Sequence, residues 1–179
     1  MEYQETICAV VVTYNRKNLL LECLNSLIKQ SRPIDALYII DNNSSDGTEK
    51  LLFDKGFISE LPPENIQNPW EREFILQCKT GYKEIKCFYV RMHENTGGAG
   101  GFYEGVKRGY ERGYDWLWLM DDDVEPLSDG LSQLLKYKHI SKCIHPSKKY
   151  LNGDLFHVEQ ARIIERNAQL TGQRRKQPR

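Results

Sequence analysis

One stretch decides the organisation of this chain: YDWLWLMDDD, from Tyr114 to Asp123. Its middle, Trp116 to Met120, is short, bulky and uncharged, which is typical of a central strand buried on both faces of a sheet. Pro126 follows closely, so regular structure should end near the acidic residues. We therefore predict a core strand that carries three carboxylates to the rim of a sheet, where ligands of open α/β sheets bind.

Three adjacent carboxylates end this stretch: Asp121, Asp122 and Asp123. They repel one another unless a cation lies among them, and Mg²⁺ and Mn²⁺ take oxygen ligands while often holding substrate phosphates. A solvated acidic turn is the alternative interpretation. The aromatic strand directly before the triplet favours a metal site over that turn.

The composition limits the class of protein. The 179 residues suit one domain with a real core, and 25 basic against 25 acidic residues give no net charge, which argues against nucleic acid as a partner. Five scattered cysteines without a C-x-x-C pair suit a reducing cytosol. The sequence has no signal peptide and no apolar run near the roughly 20 residues of a transmembrane segment. These features predict a cytoplasmic location, with room for peripheral attachment at the inner face of a membrane.

Strand and helix patterns alternate along the chain. Four apolar or β-branched runs predict strands, at residues 7–13, 36–40, 85–90 and 116–120. Helical spacing predicts a helix from Lys17, one to about Phe53, one with a face of Phe102, Val106 and Tyr110, and one after Pro126. This alternation predicts an α/β fold whose mostly parallel sheet is flanked by helices. The strand ends Thr13, Asp41 and Asp121 should then lie along one edge of the sheet.

Two segments do not follow this alternation of strands and helices. Residues 56–83 contain scattered prolines and no clean period, which predicts a surface insertion with one short helix around Arg72 to Lys79. The last residues, from Gln173 to Arg179, are mostly basic and carry no core side chains, which predicts a disordered tail.

The glycine-rich segment at residues 95–101 does not fit the common nucleotide motifs. Counted from Gly98, the third glycine of G-x-G-x-x-G is missing, and the segment does not follow the first strand, which disfavours a dinucleotide fold. No G-x-x-x-x-G-K-[ST] occurs, which excludes a P-loop. Two interpretations stay open: a loop whose backbone approaches a ligand at a helix start, or a helix packed tightly on the sheet.

Acidic residues around the second strand also have two interpretations. Asp41, at the strand end, either caps the next helix or accepts a hydrogen bond from a base or ribose. Asp46 followed by Glu49 predicts a capping box at the start of that helix.

Four motifs follow one another in the chain: VVTYNR from Val11, IDNNSSDGT from Ile40, NTGG from Asn95 and DDD from Asp121. Their order and spacing resemble the nucleotide-site motifs of family 2 glycosyltransferases, which have the Rossmann-like GT-A fold. The full glycine segment with the triple aspartate resembles the galactofuranosyl- and rhamnosyltransferase-like branch, whose members serve polysaccharide biosynthesis.

The resemblance implies a nucleotide-sugar-binding domain over residues 1–150, with the insertion at 56–83 inside it. Thr13, Tyr14 and Arg16 would line the pocket for the base and diphosphate. Asp41 would meet the uracil or thymine, and Asn43 would lie in the same nucleotide-binding loop.

The later motifs would serve the sugar and the metal. By resemblance, Asn95 and Gly98 would border the nucleotide-sugar. Asp121 would face the ribose or the metal, Asp122 the sugar, and Asp123 the metal that bridges the diphosphate. The implied cofactor is Mn²⁺ or Mg²⁺.

The implied reaction is inverting, metal-dependent transfer of a sugar from a UDP- or dTDP-sugar to a glycan or lipid-linked glycan acceptor. The acidic triplet matches the D-x-D motif of the family. In the family the catalytic base comes from well beyond the strand that carries this motif, and here 56 residues follow Asp123. Asp154, His157 and Glu159 are the nearby candidates, so the catalytic residue stays unknown. Residues 151–179 would hold the start of an acceptor half and the basic tail. The alternative is a nucleotide-sugar-binding fragment without transferase activity because the acceptor half is missing.

Two other enzyme classes are disfavoured. A sugar nucleotidyltransferase should carry its glycine-rich signature after the first strand, where Tyr14-Asn15-Arg16 stands. A haloacid-dehalogenase-type phosphatase should have Thr or Val at the position of Glu125.

Overall fold

The computed structural model describes residues 4–77 and 84–144. The chain divides into two units, Met1–Lys142 and Cys143–Arg179. The fold described below is that of the first unit, and the predicted basic tail lies outside the described residues. The predicted domain boundary at residue 150 and the insertion at 56–83 stay predictions.

The described residues form one five-stranded sheet with helices on both faces. The strands are β1 (Ile7–Thr13), β2 (Ala36–Asp41), β3 (Trp70–Gln77), β4 (Glu84–Arg91) and β5 (Trp116–Asp121). The helices are α1 (Lys17–Leu27), α2 (Thr48–Asp54), α3 (Gly97–Glu111) and α4 (Gly130–Leu135). The strand order is β3-β4-β2-β1-β5, and every neighbouring pair is parallel except β3 with β4. The predicted α/β class with a mostly parallel sheet is confirmed.

The inner strands are buried because helices cover both faces of the sheet. Every residue of β1 and β2 is buried, as their uninterrupted apolar runs require. One face packs against Leu20 and Leu24 of α1 and Leu52 of α2. On the other face Tyr38 and Phe88 stack with ring centroids 4.6 Å apart. With both faces covered, polar groups concentrate at the strand ends.

Strand β3 occupies most of the segment that was predicted to form a helix at residues 72–79. That prediction is wrong, since Trp70–Gln77 pairs antiparallel with β4 along its whole length. As an edge strand β3 buries one side chain, that of Leu76, and Trp70 packs edge-on against Tyr89 of β4. An edge strand tolerates charged residues on both sides, so it lacks the strict alternation by which strands are detected.

Strand β5 lies at the edge of the sheet that the described residues form, and not in its centre. Leu119 is 45% exposed, whereas Met120 is buried. Trp116 and Trp118 are partly buried against the core cluster on the α1 face. Within the described part of the chain, the prediction of a central strand buried on both faces is therefore wrong. The bulky apolar side chains of β5 reflect packing that is strongest on one face.

Helix α3 approaches the sheet most closely through glycines. From the predicted face of Phe102, Val106 and Tyr110, Phe102 is partly buried against the core on this side of the sheet. The buried residues of the helix are Gly101, Gly105 and Gly109, while Tyr110 is 79% exposed. A side chain at Gly109 would place its Cβ 2.6 Å from Leu117 Cδ2. The glycines therefore let the helix backbone lie directly on the side chains of the sheet.

Alanine at Gly105 should destabilise the protein, whereas alanine at Gly98 should not. A Cβ at Gly105 would overlap Val10 Cγ1, but at Gly98 it would meet no atom within 4 Å. We expect a loss of about 1–3 kcal/mol from overpacking at Gly105 and a gain of up to about 1 kcal/mol at exposed Gly98. Urea denaturation of both variants measures the difference, and equal stabilities would contradict the close helix–sheet approach.

Candidate functional site

The carboxyl ends of β1, β2 and β5 meet at one edge of the sheet. In the strand register, Thr13 lies beside Asp41 and Val12 lies beside Asp121. The three predicted strand ends therefore lie along one edge, as expected. The loops that leave these strands bring the other predicted residues to the same edge.

Asp122 is the buried member of the acidic triplet. It is 3% exposed, and its Oδ2 accepts a hydrogen bond of 2.7 Å from Thr13 Oγ1. Arg16 Nη1 lies 3.5 Å from Asp122 Oδ1 and 3.1 Å from Asp123 Oδ2. Burial raises the pKa of Asp122, and the hydrogen bond from Thr13 opposes this only in part. The protein thus holds a carboxylate at this edge although burial disfavours its charge.

Asp121 and Asp123 flank Asp122 and are exposed. Their oxygens suit Mg²⁺ or Mn²⁺, but the described residues contain no group of three side chains that could hold a metal ion. The pair fits a cation that phosphates also hold, because Mg²⁺ commonly takes one or two carboxylates together with substrate phosphates. Arg16 pairs with Asp123, so a cation there would compete with the guanidinium. The metal role of Asp121 and Asp123 stays a prediction.

The loops after β1 and β2 are joined through Asn15. Its φ of 53° is left-handed, a conformation that asparagine tolerates. Its N–H donates to Ser44 Oγ at 3.0 Å, and its Oδ1 accepts from the Ser45 N–H at 2.6 Å. The neighbouring side chains of Tyr14 and Arg16 are about half exposed, at 45% and 53%. These two predicted pocket residues therefore stand at an open rim on a hydrogen-bonded turn.

Asp46 supports the starts of two helices. Its Oδ2 accepts from the Lys17 N–H at 3.1 Å, and its Oδ1 accepts from the N–H and Oγ1 of Thr48 at 3.2 and 2.6 Å. The N-cap of α2 is Gly47, with φ of 83°, so the predicted capping box of Asp46 and Glu49 is wrong. Burial raises the pKa of Asp46, but hydrogen bonds from Thr48 and Lys17 outweigh it and lower this pKa below 3.8.

Asp41 is fully buried beneath the loop after β2. Its Oδ1 accepts from the Ser44 N–H at 2.8 Å, and its Oδ2 accepts from the Tyr89 hydroxyl at 2.6 Å and from Arg91 Nη1 at 2.7 Å. Asp41 does not cap α2, so that interpretation is wrong. In this conformation the carboxylate is occupied by protein donors, and its contact with a base stays a prediction.

Arg91 is a member of this cluster that the sequence motifs did not identify. It ends β4, where the parallel register places it beside Asp41. Its Nη2 donates to Asn43 Oδ1 at 3.2 Å, and Asn43 has a left-handed φ of 67°. Burial lowers the pKa of Arg91, but the Asp41 carboxylate outweighs this and raises it. Arg91 could have been identified as a basic residue at a strand end beside an acidic one, but this pairing can be recognised only once the strand register is known.

The start of α3 is tied to the end of β2 through Asn42, which the motifs also did not single out. Asn42 is 2% exposed and hydrogen bonds to Asn95, Thr96 and Gly97. Gly98 follows directly and is exposed. The predicted residues Asn95 and Gly98 therefore lie near the carboxyl edge of the sheet. Both interpretations of the glycine segment stay open, since Gly97 and Gly98 are exposed and Gly101 packs on Val12 of β1.

Comparison with known proteins concerns the family and the fold of this chain. A model of glycosyl transferase family 2 matches residues 8–57, which contain β1, α1, β2 and α2. The chain is 32% identical over 155 residues to galactofuranosyltransferase GlfT1 of Mycolicibacterium smegmatis, over 86% of this chain and 42% of the relative. This chain belongs to glycosyltransferase family 2. A second GlfT1, from Mycobacterium tuberculosis H37Rv, is 30% identical to this family 2 chain over 119 residues, which are 66% of this chain and 31% of that relative.

The family 2 chain thus spans about two fifths of the length of the Mycolicibacterium relative. Its fold is similar to that in the crystal structure of Staphylococcus aureus TarS 1–349 in complex with UDP, with a TM-score of 0.51 and 18% identity. The similarity covers 75% of this chain and 32% of the TarS chain. The predicted GT-A type of fold is confirmed.

Two predictions about this family 2 chain are not tested by the structure: the catalytic base and the cytoplasmic location. The candidate bases Asp154, His157 and Glu159 lie outside the described residues. Between residues 4 and 77 and between 84 and 144, no helix has the length and apolar character needed to cross a bilayer. The cytoplasmic location stays a prediction.

Proposed function

We propose that this chain forms the donor side of a glycosyltransferase that moves a sugar from a UDP- or dTDP-sugar to a glycan or lipid-linked glycan, with inversion. The observation that carries the proposal is the hydrogen bond from Thr13 to Asp122, which joins the first and last donor motifs at one sheet edge. The names of the galactofuranosyltransferase relatives support sugar transfer, and the UDP in the TarS structure supports a uridine nucleotide.

In the proposed reaction, the acceptor hydroxyl gives its proton to a general base and its oxygen attacks the anomeric carbon. The bond from that carbon to the diphosphate breaks, and the diphosphate leaves with the bonding electrons. Asp121 and Asp123 would hold a Mg²⁺ or Mn²⁺ ion, which when bound stabilises the negative charge of the leaving group. Arg16 adds a positive charge at the same rim, 3.1 Å from Asp123.

The second candidate function is nucleotide-sugar binding without transfer. It follows from the proposed arrangement, in which every site residue named here, from Thr13 to Asp123, serves the donor. Sugar-transfer assays with this chain and candidate glycans separate the two functions, because only the first predicts a glycosylated product.

Nucleotide binding should depend on a divalent cation and on Asp123. We expect UDP or dTDP to bind about tenfold more tightly with Mn²⁺ than with EDTA, because the cation offsets the charge of the diphosphate. Asp123→Ala should remove most of this gain, while Asp54→Ala, at another exposed carboxylate, should leave it unchanged. Isothermal titration calorimetry of the three proteins measures the gain. Equal affinity with and without metal in the wild type would contradict the metal site.

A further inference from the structure

The side chain of Asn42 joins two segments that lie more than 50 residues apart in sequence. Its Nδ2 donates to Asn95 Oδ1 at 2.8 Å and to the Gly97 carbonyl at 2.9 Å. Its Oδ1 accepts from the Thr96 N–H at 3.0 Å and from Thr96 Oγ1 at 3.1 Å. One buried amide therefore holds three consecutive residues at the start of α3.

This contact requires an amide in particular. An asparagine side chain offers two N–H donors and a carbonyl acceptor in one plane, and Asn42 uses both kinds. Aspartate would keep the acceptor for Thr96 but place a carboxylate oxygen against Asn95 Oδ1 and the Gly97 carbonyl. The isosteric change would therefore turn two attractive contacts into repulsive ones, with little change in volume.

The backbone of Asn42 extends the connection to β1, because its N–H donates to the Thr13 carbonyl at 2.9 Å. The amide thus lies between the strand ends with Thr13 and Asp41 and the segment with Asn95 and Gly98. The partner segment is exposed, and Gly97 within it has a left-handed φ of 70°. Asn42 is the described side chain that fixes this exposed segment relative to the strand ends through four hydrogen bonds.

We propose that Asn42 is a positioning residue that sets the backbone of residues 95–98 against the diphosphate and sugar of the donor. This inference rests on the proposed function, with the base of the donor placed near Asp41 as the resemblance implies. Asn42 itself contacts no donor, because its polar atoms are used within the protein. Its loss should therefore weaken binding of the diphosphate end of a nucleotide far more than binding of the nucleoside.

The test compares UDP with uridine as probes on the full 179-residue chain in Mn²⁺. For Asn42→Asp we expect roughly tenfold weaker UDP binding, the effect of losing one or two buried hydrogen bonds, and less than about twofold change for uridine. Amide hydrogen exchange at Thr96 and Gly97 should accelerate while β1 stays protected. Asn65→Asp, which makes the same chemical change at an exposed loop residue, should behave as the wild type.

The outcomes separate the inference from the proposed function. If the wild type binds UDP and the folded Asn42→Asp variant binds it equally well, or loses UDP and uridine affinity in equal proportion, the positioning role is overturned while the proposed function stands. A wild type that binds neither UDP nor dTDP overturns both. Should Asn42→Asp fail to fold, Thr96→Val serves as the second variant, because it removes one of the four hydrogen bonds. It should weaken UDP binding about threefold without affecting the binding of uridine. An unchanged UDP affinity of Thr96→Val would overturn the positioning role.

Discussion

Replacing Asp41 with asparagine should lower the free energy of unfolding by about 3–5 kcal/mol, the typical loss when one partner of a buried ion pair is removed. The carboxylate is fully buried, and the side chain of Arg91 is only 17% exposed. Asparagine keeps the shape but not the charge, so the guanidinium would stay buried with the Glu49 carboxylate 3.9 Å away. The new amide would also turn its N–H groups either towards the Ser44 N–H or towards Arg91 Nη1, both of which are donors.

Urea denaturation measures this loss. Asp54→Asn, at the exposed end of α2, is the matched control and should stay within about 0.5 kcal/mol of the wild type. Arg91→Met should also destabilise the protein, because it leaves the Asp41 carboxylate uncompensated. The double variant should lose less than the sum of the single losses, since neither charge is then left alone. Additive losses, or a loss below about 1 kcal/mol for Asp41→Asn, would contradict a buried ion pair.

The same variant tests whether Asp41 also contacts a ligand. A base contact predicts weaker UDP binding by Asp41→Asn under conditions where the variant is still folded. A purely structural ion pair predicts unchanged UDP affinity of the folded fraction. Calorimetry at low temperature, with the folded fraction known from circular dichroism, distinguishes the two.

The parts of the fold that sequence predicts well are those in which one local pattern carries the whole signal. Strands β1 and β2 are uninterrupted apolar runs because both of their faces are covered, and each ends in a polar residue at the carboxyl edge. Strand β3 gives no such pattern, because its partner β4 supplies the hydrogen bonds and its exposed side places no limit on charge. The prediction for α3 placed Tyr110 on the packed face together with Phe102, because apolar side chains were taken to mark that face. The closest packing instead uses Gly101, Gly105 and Gly109, and Tyr110 is exposed.

The candidate site likewise contains residues that sequence patterns identify and residues that they miss. Thr13, Asp41 and Asp121 are the last residues of their strands, and the rest of the acidic triplet follows directly, so the order of strands is enough to bring them together. Arg91 and Asn42 act through contacts between segments about 50 residues apart, which no local pattern encodes. Sequence motifs therefore identify candidate ligand-binding residues more readily than they identify the residues that hold these side chains and loops in place.

Replacing Asp122 with asparagine should weaken Mn²⁺-supported UDP binding by roughly 10- to 100-fold, the usual effect of removing a group that orients a metal site. The Asp122 carboxylate accepts a hydrogen bond from the buried Thr13 hydroxyl and lies 3.5 Å from Arg16, so it orders the Arg16 side chain at the rim. Asparagine can still accept the hydrogen bond from Thr13 but cannot attract the guanidinium or the cation. Calorimetry with UDP and Mn²⁺ measures the loss, and an unchanged affinity would remove Asp122 from the donor site.

Although Asp122→Asn should weaken UDP binding, it should raise the free energy of unfolding at neutral pH. Because burial raises the pKa of Asp122 above 3.8, ionising this carboxylate opposes folding. The destabilisation caused by ionising Asp122 is absent below pH 3.8 and fully present once the pH exceeds the raised pKa. The variant carries no such charge, so its free energy of unfolding relative to the wild type should increase as the pH rises from about 3.5 to about 7. Urea denaturation at both pH values measures this difference. A relative stability that falls with pH would show that the Thr13 hydrogen bond and Arg16 outweigh burial at Asp122.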